Sequence, residues 1–167
     1  MATLAERHEA RFKKPRRIRA EVAELRIGDT QSILAQPNTF MNESGYAVAA
    51  LVKYFTIPLD RVLVVHDDID LPFAKLRVQE GRGSGGNKGV ASVIRAIGDE
   101  GFWRLKCGVG RPPGRLEPAA FVLKRFAKYE QDEIALLRQY GADIVEIFAR
   151  EGGDEARQQA GEIGHKD

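Results

Sequence analysis

The stretch Arg61-Val62-Leu63-Val64-Val65-His66, followed by Asp67-Asp68-Ile69-Asp70, decides the fold class of this 167-residue chain. A short, continuous apolar run of this kind is typical of a strand that is buried on both faces of a parallel sheet. Ligands of open α/β sheets bind beyond the carboxyl ends of such strands. We therefore predict a buried strand whose end delivers Asp67, Asp68 and Asp70 to a site.

The segments around this strand alternate between strand and helix patterns. Polar and apolar side chains alternate with period two over residues 17–27, and residues 32–35 are predicted to form the neighbouring strand. Helical spacing of apolar side chains predicts a helix over residues 43–56, with Asn42 or Ser44 as its cap. Further along, the patterns predict strands at residues 74–79 and 103–109 and helices near residues 90–97, 121–126 and 134–148.

Strands that alternate with helices predict an α/β fold. We expect a single-domain three-layer sandwich with a mixed, mostly parallel sheet flanked by helices. The length suits one domain, which we place at residues 1–152. Residues 153–167 are expected to form a polar C-terminal tail that frays.

The composition indicates a reducing, cytoplasmic location. Apolar residues make up 43% of the chain and charged residues 30%, and no apolar run approaches the ~20 residues that span a bilayer. The N-terminus shows no apolar core of a signal peptide. Cys107 is the one cysteine, so neither an internal disulfide nor a cysteine metal cluster is expected.

Positive charge is concentrated near the N-terminus although the net charge is only +2. Residues 11–19 contain no acid and carry six basic side chains: Arg11, Lys13, Lys14, Arg16, Arg17 and Arg19. A solvated strand edge or loop explains such a run. We favour this interpretation because short basic runs are common, and we keep a phosphate-binding patch as the alternative.

A glycine-rich loop, Gly81-Arg82-Gly83-Ser84-Gly85-Gly86, lies between a predicted strand and a predicted helix. Its spacing matches the dinucleotide-binding fingerprint, but the next strand ends in Gly108-Val109-Gly110 without the acidic residue that binds ribose. A nucleotide P-loop is excluded because Lys88 follows Asn87 and not glycine. The loop still allows close backbone approach, and the helix start with Lys88 favours an anion such as phosphate.

The aspartates after the central strand allow three roles: binding a hard cation, orienting a base, or capping the next element. A magnesium site is possible in principle, but no separate cluster of metal ligands supports it. His66 points to the opposite face from Asp67 and is interpreted as a packed strand histidine. His8 and His165 lie in charged or terminal segments, so the sequence offers no obvious general base.

Three motifs, in order and spacing, resemble those of the bacterial-type peptidyl-tRNA hydrolases. They are Thr39-Phe40-Met41-Asn42, His66-Asp67-Asp68-Ile69-Asp70 and Gly85-Gly86-Asn87-Lys88-Gly89, supported by Leu71-Pro72 and by the strand at residues 103–112. The resemblance covers about residues 3 to 150. It implies hydrolysis of the ester bond between peptide and tRNA in the cytoplasm, by a monomer that contacts the acceptor stem and the nascent peptide and needs no metal or cofactor.

The resemblance also implies roles for individual residues. Asn42 would position the peptide carbonyl and the attacking water, Phe40 would pack against the substrate, and Asp67 would hydrogen-bond the catalytic histidine. The family's glycine loop usually reads Gly-Gly-His-Asn-Gly, whereas this chain has Asn87-Lys88 at its centre. Either Asn87 supplies the substrate contact, or Lys88 replaces it with a phosphate contact.

The chain departs from the family pattern upstream. The family begins with an apolar strand, an Asn-Pro-Gly turn and Thr-Arg-His-Asn, which carries the catalytic histidine, while Ala2-Thr3-Leu4-Ala5-Glu6-Arg7 resembles the helix that follows them. A misassigned start codon, a truncated gene or a non-catalytic RNA-binding relative would each explain this, and we favour the first. We accordingly expect residues 1–167 to fold poorly and to be nearly inactive, and we keep a tRNA-binding protein without turnover as the alternative function.

Overall fold

Two β-sheets organise residues 1–164, the part of the chain that the structure, a computed structural model, describes. Strands β1 (Ala20–Ile27) and β2 (Thr30–Pro37) form an antiparallel hairpin. Strands β3 (Leu63–Asp68), β4 (Leu76–Glu80) and β5 (Trp103–Gly108) form the second sheet in the order β3-β5-β4. In that sheet β3 runs parallel to β5, while β4 is antiparallel to it.

Helices flank these sheets. Their bounds are Ala2–Arg7 (α1), Ser44–Phe55 (α2), Lys88–Ile97 (α3), Pro118–Val122 (α4), Gln131–Glu151 (α5) and Gly153–Gly164 (α6). The predicted α/β class with a mixed sheet flanked by helices is confirmed. Among the strand pairings of residues 1–164 only β3–β5 is parallel, so the parallel share of the sheets is smaller than predicted.

Helix α5 joins the two halves of the core. Its Ile144 and Phe148 pack with Trp103 and Leu105 of the three-stranded sheet. Ala142, on the same helix, packs in the cluster formed by α1 and the β1–β2 hairpin. This apolar packing holds the two sheets to one another, although within residues 1–164 their strands share no backbone hydrogen bond.

Helices α2 and α3 cross at Gly45, which is buried. The Gly45 N–H donates to Ser92 Oγ at 3.0 Å, and a Cβ at residue 45 would lie 2.1 Å from the Ser92 carbonyl oxygen. Only glycine therefore fits this crossing. The close approach fixes the segment before α2 against the start of α3, where the candidate site lies.

Strand β3 differs from its prediction because it is not buried on both faces. Its residues are mostly half-buried and Val65 is 37% exposed. The outer edge of β3 has no strand partner among residues 1–164, since β5 occupies only the inner edge. The apolar run predicted a strand correctly, but a pattern of residue types carries no information about which neighbours cover it.

The predicted cap of one helix and the predicted C-terminal tail also differ from the structure. Helix α2 begins after Glu43, and neither Asn42 nor Ser44 caps it, because the Ser44 hydroxyl donates to the Met41 carbonyl instead of accepting a backbone N–H.

Residues 153–164 form α6, contrary to the expected frayed tail. Ala156 and Ala160 are buried against the sheet, so tertiary packing stabilises a helix that its polar composition alone did not indicate. The rest of the predicted tail lies outside the described residues.

Candidate active site

A cavity of about 600 Å³ lies between the β1–β2 hairpin, strand β3 and helices α2 and α3. At one end it reaches the carboxyl end of β3 and the start of α3. The polar residues there come from all three motifs of the sequence analysis: Thr39, His66, Asp67 and Asn87. The fold thus brings together polar residues that are far apart in the sequence, from Thr39 to Asn87.

Asp67 occupies the next-to-last position of β3, paired in register with Cys107 of β5. Its carboxylate has no hydrogen-bond or ion-pair partner in residues 1–164, and it lines the cavity. Burial, with the Asp67 charge acting in the same direction, raises the pKa of the Cys107 thiol to about 11. Cys107 is therefore a neutral packing residue at neutral pH, and the carboxylate remains able to accept a hydrogen bond from an added group.

The other two aspartates have structural partners. Lys106 Nζ lies 2.5 Å from Asp68 Oδ2, and the Asp70 N–H donates to Asp68 Oδ1 at 2.8 Å. Burial by itself would raise the pKa of Asp68, but these two donors outweigh it and the pKa lies below its ordinary value. Asp70 pairs with Arg111. These contacts explain two of the three aspartates without a cation, and residues 1–164 contain no cluster of His, Cys, Asp or Glu suited to a metal.

His66 belongs to the site, which the sequence analysis did not predict. Its Nδ1 lies 2.7 Å from the Asp67 backbone carbonyl, so this nitrogen carries the hydrogen and donates it. Burial lowers the pKa of His66, and the positive charge of Arg104 acts in the same direction. The ring is thus neutral, and its Nε2 keeps a lone pair that has no partner in the described structure. The position of His66 directly before Asp67 in the sequence could have indicated that His66 lies in the site.

Asn87 connects the glycine loop to helix α3. Its Oδ1 accepts a hydrogen bond from the Val90 N–H at 2.9 Å, so it caps the helix, and its Nδ2 lies 3.3 Å from His66 Nδ1. Lys88, the first residue of α3, is exposed to solvent. Of the two residues between which the sequence left the substrate contact open, Asn87 is the one that lines the cavity.

The Thr39–Asn42 motif lies beside the start of α3. Residues 41–43 form a 3₁₀ turn that packs against α3, and a Cβ on Gly89 would come within 3.3 Å of Met41 Cγ. Asn42 is exposed and the Phe40 ring is 79% exposed, and neither of these predicted substrate-binding side chains lines the cavity, although their neighbours Thr39 and Met41 do. The buried Thr39 hydroxyl lines the cavity without a hydrogen-bond partner in the described structure.

The glycine loop is held by side chains from the segment that follows it. Gly83 donates its N–H to Glu100 Oε2 at 3.0 Å, and Arg104 donates to the Gly81 carbonyl. Gly83, Gly85 and Gly86 have positive φ angles, which favour glycine. The backbone of the loop is thereby fixed next to the cap residue Asn87.

The fold and the site together define an α/β protein with a candidate active site at the end of a central strand, built on a carboxylate, an amide and a glycine loop. The chain belongs to the peptidyl-tRNA hydrolase family, because the family model described as "Peptidyl-tRNA hydrolase" matches residues 1–166. This confirms the family that the three motifs predicted.

Individual relatives agree with this assignment. The chain is 46% identical over 156 residues to a peptidyl-tRNA hydrolase of Mycobacteroides abscessus, a match that covers 93% of this chain and 80% of that protein. It is 44% identical over 149 residues to the Frankia alni peptidyl-tRNA hydrolase, covering 89% and 75% of the two chains. The crystal structure of peptidyl-tRNA hydrolase from Acinetobacter baumannii superposes with a TM-score of 0.87 at 24% identity, covering 95% of this chain and 81% of that one, which establishes the shared fold.

The described residues contain no helix that combines the length and the apolar character needed to cross a membrane.

Proposed function

We propose that this protein hydrolyses the ester bond between peptide and tRNA in peptidyl-tRNA and so releases tRNA from aborted translation. Family membership supports this reaction class. The observation that carries the proposal is the carboxylate of Asp67, which has no partner among residues 1–164 and lines the same cavity as Asn87 and Thr39 at the end of β3. On this proposal the protein works in the cytoplasm, as a monomer and without a cofactor.

The reaction requires attack of water on the ester carbonyl. A histidine accepts the proton of that water and returns it to the tRNA 3′-oxygen as the ester bond breaks. We assign to Asp67 the role of holding this imidazole in the tautomer that accepts the proton and of stabilising its charged form. Asn42, which is exposed on the 3₁₀ turn at residues 41–43, is assigned to the peptide carbonyl and the attacking water.

The peptide half and the tRNA half of the substrate are assigned to different residues. We assign Asn87 to the peptide side, since its side chain lines the cavity, and Phe40 to packing against the substrate. Lys88 is exposed at the N-terminus of α3, where the helix dipole adds to its charge, and is assigned to a phosphate of the acceptor stem.

The Asp67 carboxylate has no histidine nitrogen in hydrogen-bond contact within residues 1–164. His66 lies next to it, but its Nε2 is enclosed and therefore unsuited to meet a water molecule in this conformation. We therefore expect the 167-residue chain to turn over slowly, and the site to need a histidine placed on Asp67.

The test measures release of an N-blocked amino acid from tRNA. One sample is the 167-residue chain, and the other is the same chain preceded by an apolar strand, an Asn-Pro-Gly turn and a Thr-Arg-His-Asn segment of the family pattern. We expect the extended form to be active and the shorter chain at least about 100-fold slower, the usual effect of a general base. A histidine-to-alanine change in the added segment is the matched control and should abolish the gain.

The alternative function is tRNA binding without turnover. The enclosed Nε2 of His66 favours it, because the described residues then lack an accessible base. It predicts salt-sensitive tRNA binding by both forms with no hydrolysis by either. Absence of hydrolysis by the extended form, despite intact binding, would replace our proposal by this alternative.

A further inference from the structure

Arg82, in the glycine loop, has a backbone conformation that residues with a side chain rarely adopt. Its φ angle is +62°, in the left-handed region where the Cβ of an L-residue is strained. Glycine adopts this conformation without strain, and the flanking Gly81 and Gly83 have φ angles of 59° and 61°. The backbone of the loop alone therefore favours glycine at position 82.

Three other non-glycine residues of the described chain have positive φ angles, and local structure accounts for each of them. Glu9 and Thr56 lie just beyond the ends of α1 and α2, where a left-handed residue commonly ends a helix. Ala74 donates its N–H to the Gly108 carbonyl at 3.0 Å. Arg82 forms no hydrogen bond, through its backbone or its side chain, within residues 1–164. Its strained conformation thus has no such local cause, and strain of this kind is concentrated at functional sites.

Contacts on both sides of Arg82 fix the backbone from which its side chain extends. On one side Arg104, which is 2% exposed, donates to the Gly81 carbonyl. On the other side the Gly83 N–H donates to Glu100 Oε2 at 3.0 Å. The Arg82 side chain consequently leaves the surface from a fixed point and not from a freely moving turn.

The Arg82 guanidinium is exposed, and its charge is not compensated by another side chain of residues 1–164. Glu100, the carboxylate that contacts the loop, accepts the Gly83 N–H and forms no ion pair with Arg82. An arginine without a partner is available to an anion, and the fork of donors on its guanidinium matches the oxygens of a phosphate group.

The same loop leads to the candidate active site. Asn87, which lines the cavity, follows Arg82 closely in the sequence, so the two residues are separated by at most about 17 Å of extended chain. Stacked nucleotides are about 3.4 Å apart along a strand. An RNA 3′ end whose ester lies at the cavity therefore brings the phosphates of its last nucleotides within reach of Arg82.

We propose that Arg82 binds a phosphate near the 3′ end of the RNA half of peptidyl-tRNA. This proposal rests on the proposed function, because that function supplies the substrate. The strained backbone shows that the side chain is not kept for folding, the contacts of the loop give it a fixed origin, and its unpaired guanidinium has the chemistry of a phosphate contact.

The test measures binding of the 167-residue chain to a fluorescently labelled RNA hairpin with an acceptor-stem duplex and a single-stranded CCA 3′ end. The extended form described above is measured in parallel. Arg82→Gly removes the guanidinium and the strain together. We expect at least about fivefold weaker binding, a slope of log K against log salt lower by about 0.7 to 0.9, and an unchanged or higher melting temperature. A lower melting temperature would show that the side chain supports the fold and would overturn the proposal.

Two variants separate the effect of this arginine from the effect of net charge. Arg82→Lys keeps a cation at the same place and should bind the hairpin within about threefold of the wild type. Arg138→Gln removes a charge from an exposed position of α5 and should change the affinity by less than about twofold. Equal losses in Arg82→Gly and Arg138→Gln, or no binding of RNA by the wild type, would contradict the proposal.

Two further ligands identify what Arg82 binds. A blunt-ended hairpin should bind the wild type and Arg82→Gly within about twofold of one another, because it lacks the single-stranded phosphates; an equal loss with both hairpins would contradict the place near the 3′ end. Inorganic phosphate, at the same concentration of phosphate groups, should not displace the CCA hairpin. Displacement that depends on Arg82 would make this a site for a free anion and would overturn the proposal.

Failure of this proposal is distinguishable from failure of the proposed function. If binding of the CCA hairpin depends on Arg82 but the extended form hydrolyses no peptidyl-tRNA, only the hydrolytic function is refuted. If the extended form hydrolyses peptidyl-tRNA but RNA binding is the same with Arg82→Gly, only the role of Arg82 is refuted.

Discussion

Asp67, Asp68 and Asp70 occupy similar sequence positions but meet different surroundings. The Asp68 carboxylate is fixed by Lys106 and the Asp70 N–H, and Asp70 pairs with Arg111 at the surface. Asp67 alone of the three has no such partner in residues 1–164 and lines the cavity. The alternation of side chains along β3 separates Asp67 from Asp68, and this separation assigns a structural role to one and a site role to the other.

Asp67→Asn is expected to remove most of the hydrolytic activity of the form extended with the family's histidine segment. The amide does not stabilise a charged imidazole, so kcat/KM should fall by about 10² to 10⁴ for peptidyl-tRNA release. Asp70→Asn is the matched control and should stay within about threefold, because an exposed ion pair with Arg111 contributes little. Equal losses in the two variants would contradict the role of Asp67.

His66→Gln is expected to change how stability depends on pH. The pKa of His66 is lowered from 6.5, chiefly by burial, so below about pH 6.5 the unfolded chain binds a proton that the folded protein does not. Wild-type stability therefore falls as the pH falls through this window. The pKa of Asp68 is also lowered, so its contribution to folding stability is lost only when the pH falls below the ordinary carboxyl value of 3.8.

Urea unfolding at several pH values from 8 down to about 5 measures this effect. The loss of stability between pH 7 and about pH 5 should be smaller for His66→Gln than for the wild type, and the two curves should run parallel above pH 7. Identical slopes over the whole range would show that His66 is not held neutral by the fold.

At the scale of elements, the crossing of α2 and α3 positions the candidate site. The crossing requires Gly45 and the hydroxyl of Ser92, and it holds the 3₁₀ turn at residues 41–43 against Gly89. The turn carries Asn42, and the segment just before α3 carries Asn87. A shift of one helix along the other would therefore change the distance between these two amides.

Gly45→Ala is expected to destabilise the protein although alanine favours helices. A Cβ at this position would lie 2.1 Å from the Ser92 carbonyl oxygen, so the helices must separate, at a cost of about 1–3 kcal/mol. Gly141→Ala, within α5, is the matched control. A Cβ there meets no atom within 4 Å, and a gain of about 0.5–1 kcal/mol is expected. Denaturant unfolding measures both, and a stabilised Gly45→Ala variant would contradict the tight crossing.

Helix α6 is a second element whose packing can be tested. Ala160 is 1% exposed and packs in the same cluster as Leu76 and Trp103. Ala160→Asp buries a charge without a partner and should cost about 3 kcal/mol or more of unfolding free energy. Gln158→Asp, on the exposed face of the same helix, should stay within about 0.5 kcal/mol. Similar effects of the two changes would mean that α6 does not pack on the sheet in solution.

At the scale of the whole molecule, the basic run lies beside the candidate site. All six basic side chains of residues 11–19 are exposed. Lys14 pairs with Glu21, and Arg19 pairs at 3.2 Å with Glu43 of the 3₁₀ turn that carries Asn42. This ion pair places Arg19, at one end of the basic run, next to the turn that carries Asn42, and the phosphate-binding interpretation of the run stays a prediction.

Replacement of Arg11, Lys13 and Arg16 by glutamine is expected to weaken tRNA binding and its dependence on salt. Each lost phosphate contact should lower the slope of log K against log salt by about 0.7 to 0.9. The control variant replaces three other exposed basic residues by glutamine and so changes the net charge by the same amount. These residues are Lys53, Arg95 and Arg138. Filter binding over a range of salt concentrations measures both, and equal slopes for the two triple variants would leave the run as a solvated surface.

How much of the site the sequence predicted can be judged from particular residues. Asp67 and Asn87 were identified from motifs, and the structure places both on one cavity. His66 and Thr39 were not assigned to it, because their roles depend on which atoms remain unpaired after folding. Asn42 was assigned by resemblance, and its exposed side chain does not line the cavity, so its role stays a prediction.

The sequence by itself determined the class of fold, the family and the order of the elements, since apolar periodicity and local motifs are properties of short segments. Only the tertiary structure decided that the outer edge of β3 has no strand partner within residues 1–164, that two of three aspartates are paired, and that residues 153–164 form a packed helix. These features depend on contacts between distant parts of the chain. The apolar run that specifies β3 is the same whether or not a neighbour covers it, and only the folded arrangement reveals the cavity beside it.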